Sequence, residues 1–205
     1  MADAQALKCP SCGAPLPISN RFVRMVACQY CSSTCEITDE GLNIAGQSAK
    51  LIPLPTRFAV GQSGTLRGRA FQILGRVRYA HEDGQWDEWF LEMDDGSPAW
   101  LEEDEGEIVL SRVERLRTPV PPFDQIRVGT QLQVNGHNFF VTERCRARIA
   151  GAEGQLYFRA VPGRPVQFVD GNLGGRIGFL EFTDDAIEFG LGEPVERRDI
   201  KVEGA

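Results

Sequence analysis

The sequence predicts a mostly β protein: an N-terminal zinc ribbon followed by two related small β-barrel or sandwich-like units that arise by internal duplication. Three observations carry this expectation. Five of the six cysteines crowd into CPSCGAPLPISNRFVRMVACQYCSSTC, residues 9–35. Glycine and proline, 22 and 12 residues, cut the remainder into short apolar runs of strand length. A pattern over residues 64–79 then returns at residues 130–148. The resulting divisions are a ribbon over 1–47, a linker over 48–56, a first β unit over 57–118 and a second over 119–205. The three prolines of RTPVPPF, residues 117–123, part the two units, because they exclude regular helix and any central strand.

Cys9 and Cys12 stand in C-P-S-C-G, and Cys28 and Cys31 in C-Q-Y-C-S, with fifteen residues between the pairs. Two thiol pairs at this spacing suit two hairpin knuckles that present four ligands to one tetrahedral Zn2+ ion. Gly13 supplies the left-handed backbone that such a turn often needs, whereas Ser32 in the matching place makes the second knuckle less typical. Cys35 is the surplus thiol, expected to be a nonligand, and Cys145 stands alone as a buried structural thiol. Four thiolates around a divalent ion leave a net charge of about minus two, so Lys8, Arg21 and Arg24 are read as balancing the cluster.

In LRGRAFQILGRVRY, Leu66, Ala70, Ile73, Val77 and Tyr79 interleave with Arg67, Arg69, Arg76 and Arg78 at roughly the period of two of a half-buried strand. EDGQ at 82–85 is a turn, WDEWFLEM at 86–93 returns antiparallel, and DDGS at 94–97 turns again before PAWLEED. Gly68 aligns with Gly136 and Phe71 with Phe139, each 68 residues apart. The alignment continues with Gly84-Gln85-Trp86 against Gly154-Gln155-Leu156, and Trp100 against Phe168. The nearest approach to a helical period is IVLSRVERLR, residues 108–117.

Residues 82–107 hold all three tryptophans and twelve carboxylates. Alternation puts Trp86, Glu88, Phe90 and Glu92 on one strand face and Asp87, Trp89 and Leu91 on the other. A groove drawing on Trp86, Glu88, Trp89, Glu92, Trp100 and Glu102 would suit an organic cation such as a polyamine, through cation–π contact and charge pairing. The competing reading makes the tryptophans core anchors and the acids a solvated rim. Leu156 and Phe158 stand where the second unit would need tryptophans, which restricts the expected site to the first unit.

A net charge of -7 argues against broad phosphate-backbone binding, and hence against a nucleic-acid partner. The two histidines, His81 and His137, lie in no metal or triad motif, and no phosphate loop, dinucleotide fingerprint or nucleophile elbow occurs. GNLGGRIG at 171–178 is glycine-rich without the strand-to-helix context of a phosphate site. The chain is accordingly read as nonenzymatic. It has no run of about 18 apolar residues, and MADAQALKCP lacks the parts of a secretion signal, so a cytoplasmic location is expected.

CPSCGAPL, GTLRGRAFQILGRVRY, WDEWFLE and PAWLEEDEGE together resemble bacterial proteins that contain domain of unknown function 4178. The matching positions are Gly64, Leu66, Gly68, Phe71, Gly75, Trp86, Glu88, Trp89 and Leu91. The resemblance carries no established activity. It implies an accessory role beside polyamine-related or membrane-associated systems. The leading expectation is therefore a nonenzymatic adaptor that docks on a partner protein, and the alternative is a polyamine-like cation-binding protein.

Overall fold

Alternating side chains and frequent turn residues favour short antiparallel strands, and these strands make up more than half of the described residues. The computed structural model describes residues 7–16, 18–19, 23–38, 41–47, 51–104 and 106–203. Strands β1 (Leu7–Lys8) and β2 (Pro15–Leu16) form the first cysteine hairpin. The second is carried by a three-stranded sheet of β3 (Met25–Ala27), β4 (Ser33–Thr38) and β5 (Gly41–Gln47). Two meanders follow. The first runs through β6 (Ser63–Leu66), β7 (Arg69–Ala80), β8 (Gln85–Met93), β9 (Pro98–Asp104) and β10 (Glu107–Glu114). The second runs through β11 (Gln131–Val134), β12 (His137–Leu156), β13 (Pro165–Asn172), β14 (Ile177–Phe182) and β15 (Ile187–Pro194). Last, β16 (Ile200–Val202) returns to pair with β6.

Among the described residues there is no α-helix, only 3-10 turns at Phe123–Gln125 and Arg197–Asp199. The segment with the nearest helical period, IVLSRVERLR, forms β10 instead. Its edges pair with β9 and β15, and Ile108 and Leu110 pack with Trp89 and Leu101, so tertiary pairing overrides a weak local preference.

Backbone pairing joins both meanders in one ring. β7 pairs β8, β8 pairs β9 and β9 pairs β10; β10 then pairs β15, which leads through β14 and β13 to β12, and β12 pairs β7. Every step is antiparallel. Each meander keeps an apolar cluster of its own, around Phe71, Ile73 and Trp89 in the first and Phe139, Val141 and Val169 in the second. Their hydrogen-bond ladders are nevertheless shared. Where the ring closes, Gly75 faces Gly154. A Cβ on Gly75 would stand 2.1 Å from the Gln155 carbonyl oxygen, so this crossing admits no side chain.

The 68-residue correspondence holds at the start of each meander. Arg67 and Gly68 form a two-residue turn with φ of 49° and 82°, and Asn135 and Gly136 form the same turn at 50° and 84°. Gly61 N–H donates to Ile73 O at 2.8 Å and Gly129 N–H to Val141 O at 2.9 Å. The irregularity between Ile73 and Gly75 recurs between Val141 and Glu143. Further on, the expected alignment fails. Trp100 lies on β9, next but one after β7, whereas Phe168 lies on β13, next after β12. The cause is length: β7 has 12 residues and β12 has 20, so Gly154 lies within a strand while Gly84 lies in a turn.

The cysteine-bearing sheet is stitched to this ring. Val26 and Met25 pair with Gln155 and Leu156 of β12, and Arg24 N–H donates to Leu156 O at 2.8 Å. Met25 is fully buried against Tyr79, Phe90 and Trp100, a contact worth about 2 kcal/mol. The expected linker is held as well, over its described residues 51–56. Leu51 is buried, Ile52 O accepts from Arg78, and Thr56 Oγ1 donates to Glu103 Oε2 at 2.5 Å. Arg78 is itself buried and paired to both oxygens of Asp87 at 2.7 Å.

Candidate functional site

The first candidate is the cysteine cluster. Cys9 Sγ lies 3.7 Å from Cys31 Sγ, Cys12 Sγ lies 3.7 Å from Cys28 Sγ, and all four sulfurs fall within 4.8 Å of one another. Four sulfurs each about 2.3 Å from one tetrahedral ion would stand about 3.8 Å apart, so this set could hold a metal. Both knuckles share one geometry: Gly13 N–H donates to Cys9 O and Ser32 N–H to Cys28 O, each at 2.8 Å. Ser32 adopts φ of 59°, so the less typical residue makes the same left-handed turn as Gly13 at 75°. Cys35 is fully buried outside the group, its sulfur 3.9 Å from Ser33 O. Of the three cations expected around the cluster, Lys8 is exposed, Arg24 lines a cavity with Trp100 and Tyr157, and Arg21 lies outside the described residues.

The second candidate lies inside the ring. A cavity of about 110 Å³ takes lining residues from all eight ring strands. That volume has room for about seven water-sized groups. Pairing across the ladder puts Glu88 directly opposite Glu102, Glu143 opposite Asp170, and Glu181 opposite Glu188. All six, with Asp104, line the cavity, and among the described residues no Lys or Arg does so. Directly opposed like charges are destabilising in a sheet. Two full charges about 5 Å apart at an effective dielectric constant of about 20 repel by about 3 kcal/mol.

Aromatic rings complete the wall. Tyr79 stacks on Trp86 at 5.2 Å, Phe168 meets both edge-on at 5.1 and 5.3 Å, and Trp100 lies 5.6 Å from Tyr157. Some carboxylates find donors there: Trp86 Nε1 donates to Glu88 Oε1 at 3.1 Å, and the Tyr157 hydroxyl donates to Glu188 Oε2. These few hydrogen bonds do not offset enclosure. Burial, and then the charge of Glu102, hold Glu88 well above the usual carboxylate range. Burial first and neighbouring acids second push Glu102 up to about 7, Asp170 to about 8 and Glu181 to about 8. Glu188 is raised by burial despite its tyrosine. All five are half-buried residues whose exposed surface faces the cavity.

Of the six residues that the sequence nominated, Trp86, Glu88, Trp100 and Glu102 line this cavity. Trp89 points through the other sheet face, where it is fully buried 5.8 Å from Phe58 and 5.0 Å from the Arg76 guanidinium. Glu92 lies beyond Phe90 on the cavity-facing side of β8 and does not reach the lining. The second unit, from which no site residue was expected, supplies Glu143, Asp170, Glu181 and Glu188. Their sequence signal is an acid alternating with aromatic residues, as in Phe179-Leu180-Glu181-Phe182, and it reads equally as a solvated face until the ring closes. Cys145, expected to be buried and inert, also lines the cavity, with its thiol raised by burial. GNLGGRIG is the turn between β13 and β14, with Gly174 and Gly175 at positive φ.

Fold and sites together define a class: an all-β protein with a cysteine cluster placed to hold a metal and an acidic, aromatic cavity enclosed by a ring of strands. Residues 59–197 match the family described as Domain of unknown function (DUF4178), and the chain belongs to it. No curated protein and no solved structure matches the chain. Among the described residues, no helix is long and apolar enough to cross a membrane.

Proposed function

We propose that the protein binds a small organic cation, a polyamine-like molecule with more than one ammonium group, inside the ring. The observation that carries this reading is the lining of the cavity: among the described residues, seven carboxyl side chains and several aromatic rings, with no lysine or arginine. Ammonium groups satisfy both features, pairing with carboxylates and lying against ring faces. A single metal ion fits less well, because the carboxylates are spread around the wall and form no converging group as the four cysteines do. Under the same reading, Cys9, Cys12, Cys28 and Cys31 hold one Zn2+ that folds the ribbon and so braces β12 through β3. The common offset of backbone turns favours an origin of the two meanders by duplication.

The test is calorimetric titration of the full chain with spermidine at low and moderate salt. A saturable site that weakens in Glu88→Gln and Trp86→Ala supports the reading. Absence of heat, with an unchanged melting temperature, overturns it. A second reading, a partner-docking adaptor, is favoured by one feature. Tyr30, 65% exposed at the second knuckle, borders a groove of about 740 Å³ between ribbon and ring. Stoichiometric capture of one partner that Tyr30→Ala loses supports that reading, and retention of the partner counts against it.

A further inference from the structure

Among the described residues, the cavity wall gathers seven carboxyl groups and no lysine or arginine, which raises the question of what balances them in the absence of a cation. We propose that the ligand-free cavity is balanced by protons, shared within the facing pairs Glu88 with Glu102 and Glu181 with Glu188 and carried by Asp170 beside the exposed Glu143, and that an entering cation displaces them. This rests on the reading of the cavity as a cation site. The exchange conserves charge: a carboxylic acid and an incoming ammonium give a carboxylate–ammonium pair and one proton released to water. The cation forms its contacts as the O–H bond breaks.

The geometry requires such a balance. Each pair is directly opposed in its ladder, with both side chains on the cavity face. With both members ionised, the Glu88–Glu102 and Glu181–Glu188 pairs would carry the repulsion derived above, which one proton per pair relieves; Glu143 is exposed, so water screens its charge from that of Asp170. The groups facing these pairs do not supply the missing charge. β7 and the turn after it bring Tyr79 and His81, and β9 adds Asp104. β10 brings only Ser111 and Val113, while β12 and the loop after it add Cys145 and Tyr157. Tyr79 favours the ionised form of Glu181 slightly, and the Tyr157 hydroxyl donates to Glu188. Among the described residues, two cations lie near. Arg164 acts on Glu181 from outside the lining and is itself paired with Asp185 at 2.5 Å, and Arg24 lines the adjoining cavity beside Tyr157. Glu102, Asp170 and Glu181 are all raised to near or above neutrality, as a proton-holding wall requires.

Two measurements on the full chain test this. Infrared spectroscopy of the ligand-free protein at pH 7 should show the C=O stretch of protonated carboxyl groups, reduced in Glu181→Gln. Titration with spermidine in phosphate and in Tris, whose protonation heats differ, should then give at least one proton released per spermidine. The affinity should rise about tenfold per pH unit between pH 6 and 7 for each proton released. Imidazoles titrate in the same range, so the titration is repeated in His81→Gln, where the release should persist. Absence of the carboxylic band at pH 7 overturns the proposal. Spermidine binding with equal heat in both buffers also overturns it while leaving the cation site standing. Failure of spermidine to bind removes the site and the exchange together, whatever the infrared band shows.

Discussion

The cysteine cluster and the ring cavity both concentrate acidic side chains, and they differ in geometry. In the first, four sulfurs converge within 4.8 Å; in the second, seven carboxyls spread over the wall of a closed sheet. Convergent ligands suit one small ion with strong, short bonds. Dispersed, paired ligands suit protons or an elongated cation with separated charges. The lesson is that the spacing of like charges selects the counter-ion more than their number does. The two regions are also physically coupled, since β3 carries Met25 from the ribbon into the apolar cluster that walls the cavity.

The largest expected effect breaks the convergent side. If the four cysteines hold one Zn2+ as proposed, Cys31→Ser should lose it by elemental analysis and unfold the ribbon, because structural zinc contributes on the order of 10 kcal/mol. Cys35→Ser should keep one equivalent. If Cys35→Ser alone empties the site, the ligand assignment fails.

The next breaks the wall of the dispersed side. Gly75→Val places a side chain against the Gln155 carbonyl, where a Cβ alone would come within 2.1 Å. The expected loss is on the order of 4 kcal/mol, read as a lower urea midpoint. An unchanged midpoint would mean that β7 and β12 do not close the ring in solution.

Opposite responses to pH sharpen the comparison. Thiolate ligation is lost as pH falls. The cavity behaves in reverse. Glu102, Asp170 and Glu181 titrate near 7, 8 and 8 in the folded chain and near 4 in an unfolded one. Between these values the folded state holds more protons, so the stability these groups confer is complete in acid and is lost as pH rises through 7 to 8. Each contributes a slope of about 1.4 kcal/mol per pH unit while its folded form is protonated and its unfolded form is not. The ligand-free melting temperature should therefore be lower at pH 8.5 than at pH 6, and spermidine should reduce the difference. A melting temperature that rises steadily over this range would count against buried, proton-holding carboxyls.

The smallest effect separates two neighbouring tryptophans. Trp86→Ala removes a ring from the cavity and should weaken spermidine binding about five- to thirtyfold, the range of about 1–2 kcal/mol for a sheltered cation–π contact. Trp89→Phe should leave the affinity unchanged, because Trp89 faces the outer cluster and its Nε1 has no hydrogen-bond partner to lose. Equal losses would show that the two faces of β8 are misassigned.

Local rules carried the reading of the strands a long way. The thiol spacing marked the four cysteines, and the period of two correctly put Trp86 and Glu88 on one face of β8 and Trp89 on the other. The matching turns at Gly68 and Gly136 were also legible, because a two-residue hairpin needs positive φ and leaves a sequence trace. The alignment of Trp100 with Phe168 failed because β12 is eight residues longer than β7 (20 less 12), and strand length leaves no such trace.

What the sequence determined by itself is everything fixed over a few residues: the knuckles, the turns, the alternation of side chains, and hence the β class. What the tertiary structure alone decided is which side of each strand became an interior. Glu181 and Glu188 read as solvated acids until β12 closes on β7, and their partners Glu143, Asp170, Glu88 and Glu102 come from residues far apart in the chain. Closure of a sheet depends on pairing between distant segments. Alternation records only that a strand has two faces, never which of them will lose its water.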